Sequence, residues 1–331
     1  MRGPSASCGA AIREEAAPPE SAHRSDHAGC GRTPWTPSVT FGPGHFDWRA
    51  DRDRILREAA LYESLPPEIP HPAVLDAGRN DEASWILTGR VGGVRLSDVM
   101  LELPGPEQRE VFRHAARLLA DLHSWDPPPS IRTMLGERPT LDPTVELSVW
   151  AADVIPLPIW RIDAIANLAK ELPFVDAGLV DAVVALIKSL ADPDPLELSI
   201  EDGVVLHSDF GPFNVLIQDG EIAAAIDFEW SRIGPRDLDL TLPYFLARFD
   251  EIWGGDGPDR LPFLEWFEED CPELFAAPEL DRRQWLYGLC LGLRTIVWWP
   301  PSGPEETLEP DHPIHMLRRL LEGPLLPRRS Q

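Results

Sequence analysis

The stretch "VVLHSDFGPFNVLIQDGEIAAAIDFEWSRIGPRDLDL", Val204 to Leu240, decides the fold. Three apolar β-type runs, "VVLH", "NVLIQ" and "EIAAAIDF", are separated by turn residues. Asp219-Gly220 predicts a two-residue hairpin turn, because these residue types tolerate the positive φ such turns need. Gly211-Pro212 breaks regular structure, so "SDFGPF" reads as a loop. The hairpin places Asn214 at its entry and Asp227 near its exit, and antiparallel pairing brings those ends together. Asp209 lies on the loop beside them. Two carboxylates and an amide oxygen therefore converge at one mouth.

Hard oxygen donors without a cysteine or histidine cluster suit Mg²⁺, which takes one or two protein carboxylates and completes its shell with water and phosphates. Asn214 and Asp227 are the candidate metal ligands of a nucleoside-triphosphate site. Asp209 is the candidate catalytic base, accepting or orienting the proton of a substrate hydroxyl. Singly, each residue has a plainer reading: Asp209 as a turn cap, Asn214 as a partner for loop backbone, Asp227 as an arginine's partner. Their joint spacing around one hairpin favours the metal and phosphoryl-transfer reading. His207 reads as structural, bonding nearby backbone, and Asp239 as a brace between loops. A metal-dependent phosphoester hydrolase could use the same acids, but it needs a second metal cage, and no further His/Asp cluster is legible.

The rest of the chain sets limits. Its 331 residues allow one two-lobed domain or two domains. No apolar run is long enough to span a membrane, and no apolar leader follows Arg2. Four scattered cysteines make no disulfide framework, so a reduced, cytoplasmic protein is expected. A net charge of −25 repels phosphate backbones and anionic lipid, which argues against nucleic-acid and membrane partners. It would attract a cationic small molecule, although charge for solubility is the plainer reading. Glu265, Glu268, Glu269 and Asp270 form one acidic run, read first as a solvated face.

Along the chain, residues 1–37 lack any helical or strand period and read as a disordered tail. Cys8, His23, His27 and Cys30 lie there without zinc-site spacing. Residues 38–96 read as a small β-rich lobe with a hinge: "SVTF", a helix over Asp51–Leu65 with Ile55, Ala59, Tyr62 and Leu65 on one face, then two strands joined through "GRNDE". Residues 97–325 read as a large helical lobe. Its first long helix buries Val111, Ala115, Leu118, Leu119 and Leu122. A later one, capped by Asp176, buries Val180, Val183, Val184, Ile187 and Leu190. Trp298 and Trp299, at the end of an aromatic-rich helix, read as core. The class is α+β in two lobes.

Several segments resemble a known family. "HSDFGPFN" resembles the His-x-Asp-x-x-x-x-Asn catalytic loop of protein-kinase-like enzymes. "IDFE" is similar to their metal-binding Asp-Phe-Gly, in the form found in aminoglycoside phosphotransferases and choline-kinase-like proteins. "GPRDLDL", "REAALYESL", "HPAVLDAG", "WILTGRVGGVRL" and "RLLADLHSW" are similar to further segments of that family. The resemblance covers about Ser38 to Trp299. It implies a protein-kinase-like fold and an ATP- and Mg²⁺-dependent transfer of the γ-phosphate to a small hydroxylated acceptor. It also implies Asp209 as base and Asn214 and Asp227 as Mg²⁺ ligands. Glu58 matches the helix glutamate that holds a phosphate-binding lysine. Leu87 to Val91, with Leu87, Gly89 and Val91 as the contacts, match the hinge that reads adenine through backbone groups.

One part of the pattern has no counterpart: the chain has no lysine before Lys170. Three readings follow. Arg49, Arg52 or Arg54 supplies the charge; the first lobe is eroded, leaving a weak kinase or a kinase-fold binding protein; or the missing strands lie upstream of Met1. Arginine is always charged and bridges phosphate, but its planar fork is not an equal replacement.

Overall fold

A computed structural model describes residues 38–39, 53–80, 84–136, 159–192, 203–249, 262–310 and 312–324. Residues 1–37 lie outside them, as do Arg49 and Arg52.

The small lobe is built on the two strands expected around "GRNDE". They are β2 (Val74–Arg79) and β3 (Ser84–Thr88), paired antiparallel from Val74↔Thr88 to Arg79↔Ser84. β1 (Ser38–Val39) adds to the other side of β3, giving the order β1-β3-β2. Helix α1 (Asp53–Ser64) packs its apolar face against this sheet, with Ala59, Leu61, Tyr62 and Leu65 buried. The same helix touches the turn that follows Ala225, a contact that matters for the site.

The linker between lobes is itself tied to the large lobe. β4 (Val94–Arg95) pairs with β6 (Val215–Gln218), which forms a hairpin with β7 (Glu221–Ala225). Gly93 makes this join possible: it has φ 101, and a Cβ there would lie 2.3 Å from the Ile217 carbonyl oxygen. β5 (Val204–Leu206) pairs separately with β8 (Arg232–Gly234). This second pairing brackets the hairpin and fixes both ends of the segment that carries the acids.

Helices complete the large lobe. After the short α2 (Leu96–Val99), α3 (Gly105–Ser124) buries all five residues of its predicted stripe. α4 (Pro129–Gly136) and α5 (Ile159–Glu171) follow, then α6 (Ala177–Leu190). Asp176 caps α6 by accepting from the Gly178 N–H at 2.8 Å. Val180, Val183 and Ile187 of α6 are buried, whereas Val184 and Leu190 are half-buried. α7 (Thr241–Phe249), α8 (Phe263–Asp270), α9 (Leu280–Trp298) and α10 (Pro313–Glu322) follow. Cys271 and Cys290 are buried free thiols. No helix among the described residues is long and apolar enough to cross a membrane.

Two surface expectations change. Trp299 is not core: it lies just past the end of α9, 47% exposed, with its ring 5.1 Å from that of His312. The acidic run is not simply solvated. Asp270 is bound by Arg113 at 2.6 Å and by Arg117, and Glu269 pairs with Arg109, so the end of α8 is clamped onto α3.

Candidate active site

The hairpin sets the site. Its two-residue turn, Asp219 (φ 54) and Gly220 (φ 84), uses positive φ at both positions, as the right-handed twist of the strands requires. Register places Val215 opposite Ala225, so Asn214 and Asp227 flank the same end. The Asn214 carbonyl accepts from the Ile226 N–H at 2.9 Å, closing that end one residue before Asp227.

Asp209 and Asn214 are joined directly. Asn214 Nδ2 donates to both the Asp209 carbonyl and Asp209 Oδ2, each at 2.9 Å. With its N–H groups spent there, the side-chain atom Asn214 can offer a ligand is Oδ1, a hard oxygen. Burial, followed by the neighbouring Asp227 charge, pushes the Asp209 carboxyl up to about 7; the Asn214 bond works against this.

Asp227 is in the left-handed region, at φ 66 and ψ 55, and its carboxylate does not cap the short turn that follows. Ser208, just before Asp209, also has positive φ (68°). Non-glycine residues held there cost of order 1 kcal/mol unless their surroundings compensate. Both compensations are visible. Asp239, fully buried, accepts from the His207 N–H at 2.9 Å and the Ser208 N–H, and bonds His123 Nε2 at 2.8 Å. Burial alone would raise the Asp239 carboxyl, but its bonds to His123 and Ser208 hold it below its ordinary value. On the other side, the Asp227 N–H donates to the Tyr62 hydroxyl and the Phe228 N–H to Glu58 Oε1, both at 3.0 Å.

The bracing roles read for His207 and Asp239 hold. His207 Nε2 lies 3.1 Å from the Ile226 carbonyl, and its Nδ1 accepts from the Asp209 N–H at 3.3 Å. Burial lowers its pKa, so the neutral ring with the proton on Nε2 satisfies both contacts. Asp237, in the same segment, is bound by Arg283 through two nitrogens, at 2.7 and 2.8 Å.

Glu58 lies behind Asp227, 9% exposed. Burial first, then the Asp227 charge, pushes its carboxyl up to about 7. Its Oε1 accepts from the Phe228 N–H. Arg54, one turn earlier on α1, has Nε 3.2 Å from Glu229 and its guanidinium 4.3 Å from the centre of the Trp230 ring. Leu87 lies within β3, opposite Val39 and Asp76. The Gly89 N–H is taken by the Ala73 carbonyl at 2.8 Å, so what Gly89 can offer a nucleotide is its carbonyl. Val91 follows in the linker before β4.

Sequence reasoning missed two contributors. His123 stands beside the α3 stripe, where a polar residue next to Leu122 was the available signal. Tyr62 was read only as a core position, because nothing local reveals that its hydroxyl meets a residue 165 positions away.

No group of three or more His, Cys, Asp or Glu residues suited to a metal occurs among the described residues. The donors at the hairpin mouth, Asp227 carboxylate and Asn214 Oδ1, fit one hard cation that completes its shell elsewhere.

A small β lobe, a helical lobe and acids gathered between a loop and a hairpin define a kinase-like phosphotransferase fold. The chain belongs to the phosphotransferase enzyme family (APH), whose model matches residues 39–261. Among solved structures it is similar to a thermostable mutant of aminoglycoside phosphotransferase APH(4)-Ia in its apo form. That match has a TM-score of 0.55 at 19% identity, covering 82% of this chain and 84% of that one. A ternary complex of another mutant of that enzyme with AMP-PNP and hygromycin B matches with a TM-score of 0.54 at 17% identity, covering 81% and 82%. The streptomycin–ATP–APH(2'')-IIa ternary complex matches with a TM-score of 0.52 at 15% identity, covering 86% and 84%. These likenesses establish the fold. No curated protein matches the chain.

Proposed function

We propose that this protein is an ATP- and Mg²⁺-dependent phosphotransferase that moves the γ-phosphate to a hydroxyl of a small molecule. One observation carries the proposal: Asp209 is bonded to Asn214, whose backbone in turn closes the strand end that presents Asp227. Asn214 Oδ1 and Asp227 would hold the cation, which supplies charge neutralisation to the triphosphate when bound. Asn214 orients the Asp209 carboxylate through its N–H, and Asp209 accepts the acceptor's proton as the hydroxyl oxygen attacks phosphorus. Its raised pKa suits that task, since a base works best near the working pH. The Gly89 carbonyl and the backbone of Val91 would face adenine, whereas Leu87 is flanked by β1 and β2. A cationic acceptor is favoured by the net charge of −25.

Purified protein should phosphorylate a member of a panel of hydroxylated small molecules when given ATP and Mg²⁺. Asp209→Ala should lower kcat by at least about 10²-fold. Equal turnover by that variant contradicts the mechanism.

A second reading, a catalytically impaired kinase-fold binding protein, rests on a separate observation. The chain has no lysine before Lys170, and Glu58 Oε1 accepts from the Phe228 N–H. Of the three candidate arginines, Arg54 alone is among the described residues, and it is turned toward Glu229 and Trp230. A thermal-shift titration with ATP and Mg²⁺, run beside the turnover assay, separates the readings. Binding with turnover excludes impairment, and no nucleotide binding excludes the kinase.

A further inference from the structure

We propose that Tyr62 is a positioning residue for Asp227: its hydroxyl, with the Glu58 carboxylate one turn earlier on α1, holds the backbone N–H groups of the Asp227–Phe228 turn and thereby aims the Asp227 carboxylate. This rests on the reading above that Asp227 is a metal ligand.

Three residues of α1 recur every fourth position, which places them on one face of the helix. Arg54, Glu58 and Tyr62 meet Glu229, Phe228 and Asp227 respectively, so the helix runs antiparallel to the turn and contacts each residue of it in reverse order. The outer contact is an ion pair between side chains. The inner two are hydrogen bonds from backbone N–H groups, each 3.0 Å long. Backbone contacts set dihedral angles, and Asp227 holds dihedrals (φ 66, ψ 55) that a non-glycine residue adopts only when it is held there.

The Tyr62 hydroxyl accepts from the Asp227 N–H at 3.0 Å. A buried hydroxyl is costly without partners, so a purely apolar role at this 4%-exposed position would be served better by Phe or Leu. The ring is held independently of the hydroxyl. It stands edge-on to Phe228 at 5.5 Å and stacks on His71 at 5.9 Å. Tyr62→Phe therefore removes the aiming contact while keeping the packing.

The test is Mn²⁺ titration of the full chain with ADP present, following free Mn²⁺ by electron paramagnetic resonance, alongside a melting curve. Wild type should take up Mn²⁺. Tyr62→Phe should weaken that uptake about 10-fold, the factor equivalent to one hydrogen bond of about 1.4 kcal/mol. Glu58→Gln, which keeps an acceptor oxygen, should stay within about 3-fold of wild type, a difference of less than one such bond. Glu58→Ala removes the other arm and should weaken uptake as Tyr62→Phe does, which keeps the test open should Tyr62→Phe not fold. A packing role alone predicts a lower melting temperature with unchanged Mn²⁺ affinity, and that result overturns the proposal. If wild type takes up no Mn²⁺ with the nucleotide, the metal reading of Asp227 fails first, and Tyr62's role falls with it.

Discussion

Asp209 and Glu58 enter the fold at a cost that depends on pH. Each carboxyl is raised to about 7, from 3.8 and 4.5 respectively, so the folded chain binds these protons more tightly than the unfolded chain does. Stability therefore falls as pH rises from about 4 to about 7, and the penalty is complete above that. The metal-free Asp209→Asn variant should be more stable than wild type at pH 8, by roughly 1 kcal/mol because Asp209 is only half-buried and solvent screens its charge. The difference should vanish by about pH 4. Urea titrations at the two pH values check this, and a gap that does not change with pH contradicts it. At this scale the acids were legible from spacing, since Asp209, Asn214 and Asp227 lie within one short stretch. Their braces were only partly so. Asp239 could be read as a brace because it sits in the same segment, whereas its partner His123 and the Tyr62 hydroxyl lie 116 and 165 positions from what they hold.

The hairpin was the most legible element, because β-type runs and an Asp-Gly pair specify both strands and turn locally. Its Gly220 has φ 84 and open space around the position of a Cβ, so backbone conformation alone limits substitution there. Gly220→Asn should be nearly neutral, because Asn tolerates this region. Gly220→Val should cost about 1–2 kcal/mol, read as a shift in the urea midpoint. Equal midpoints for the two variants contradict the turn assignment. What surrounds the hairpin was less visible. β4 and β8 are 2 and 3 residues long, too short to show alternation, and both pair across large gaps in sequence. The end of α9 misled for a related reason. Aromatic residues at the end of an apolar helix look buried, but Trp299 falls past the last turn, and the chain's exit direction decides its exposure.

Across the whole molecule, two lobes meet around one segment. α1 from the small lobe holds the turn at Asp227, and α3 from the large lobe supplies His123 to the Asp239 brace behind Asp209. β4 of the linker pairs with the hairpin itself. The longer helices and the hairpin strands could be read from hydrophobic period, and so could the segment that holds the acids. The long-range ion pairs could not: Arg283–Asp237 and Arg113–Asp270 lie 46 and 157 positions apart, and their residues look like ordinary surface charge in sequence. At the hairpin mouth we propose a site for a divalent cation carrying a nucleoside triphosphate. Calorimetric titration of ATP into wild type, Asn214→Ala and Asp227→Ala, with and without Mg²⁺, tests it most directly. Mg²⁺ should tighten ATP binding to wild type by at least about 10-fold, or 1.4 kcal/mol, and either substitution should remove this dependence. Mg²⁺ dependence that survives both substitutions, or its absence from wild type, would contradict it.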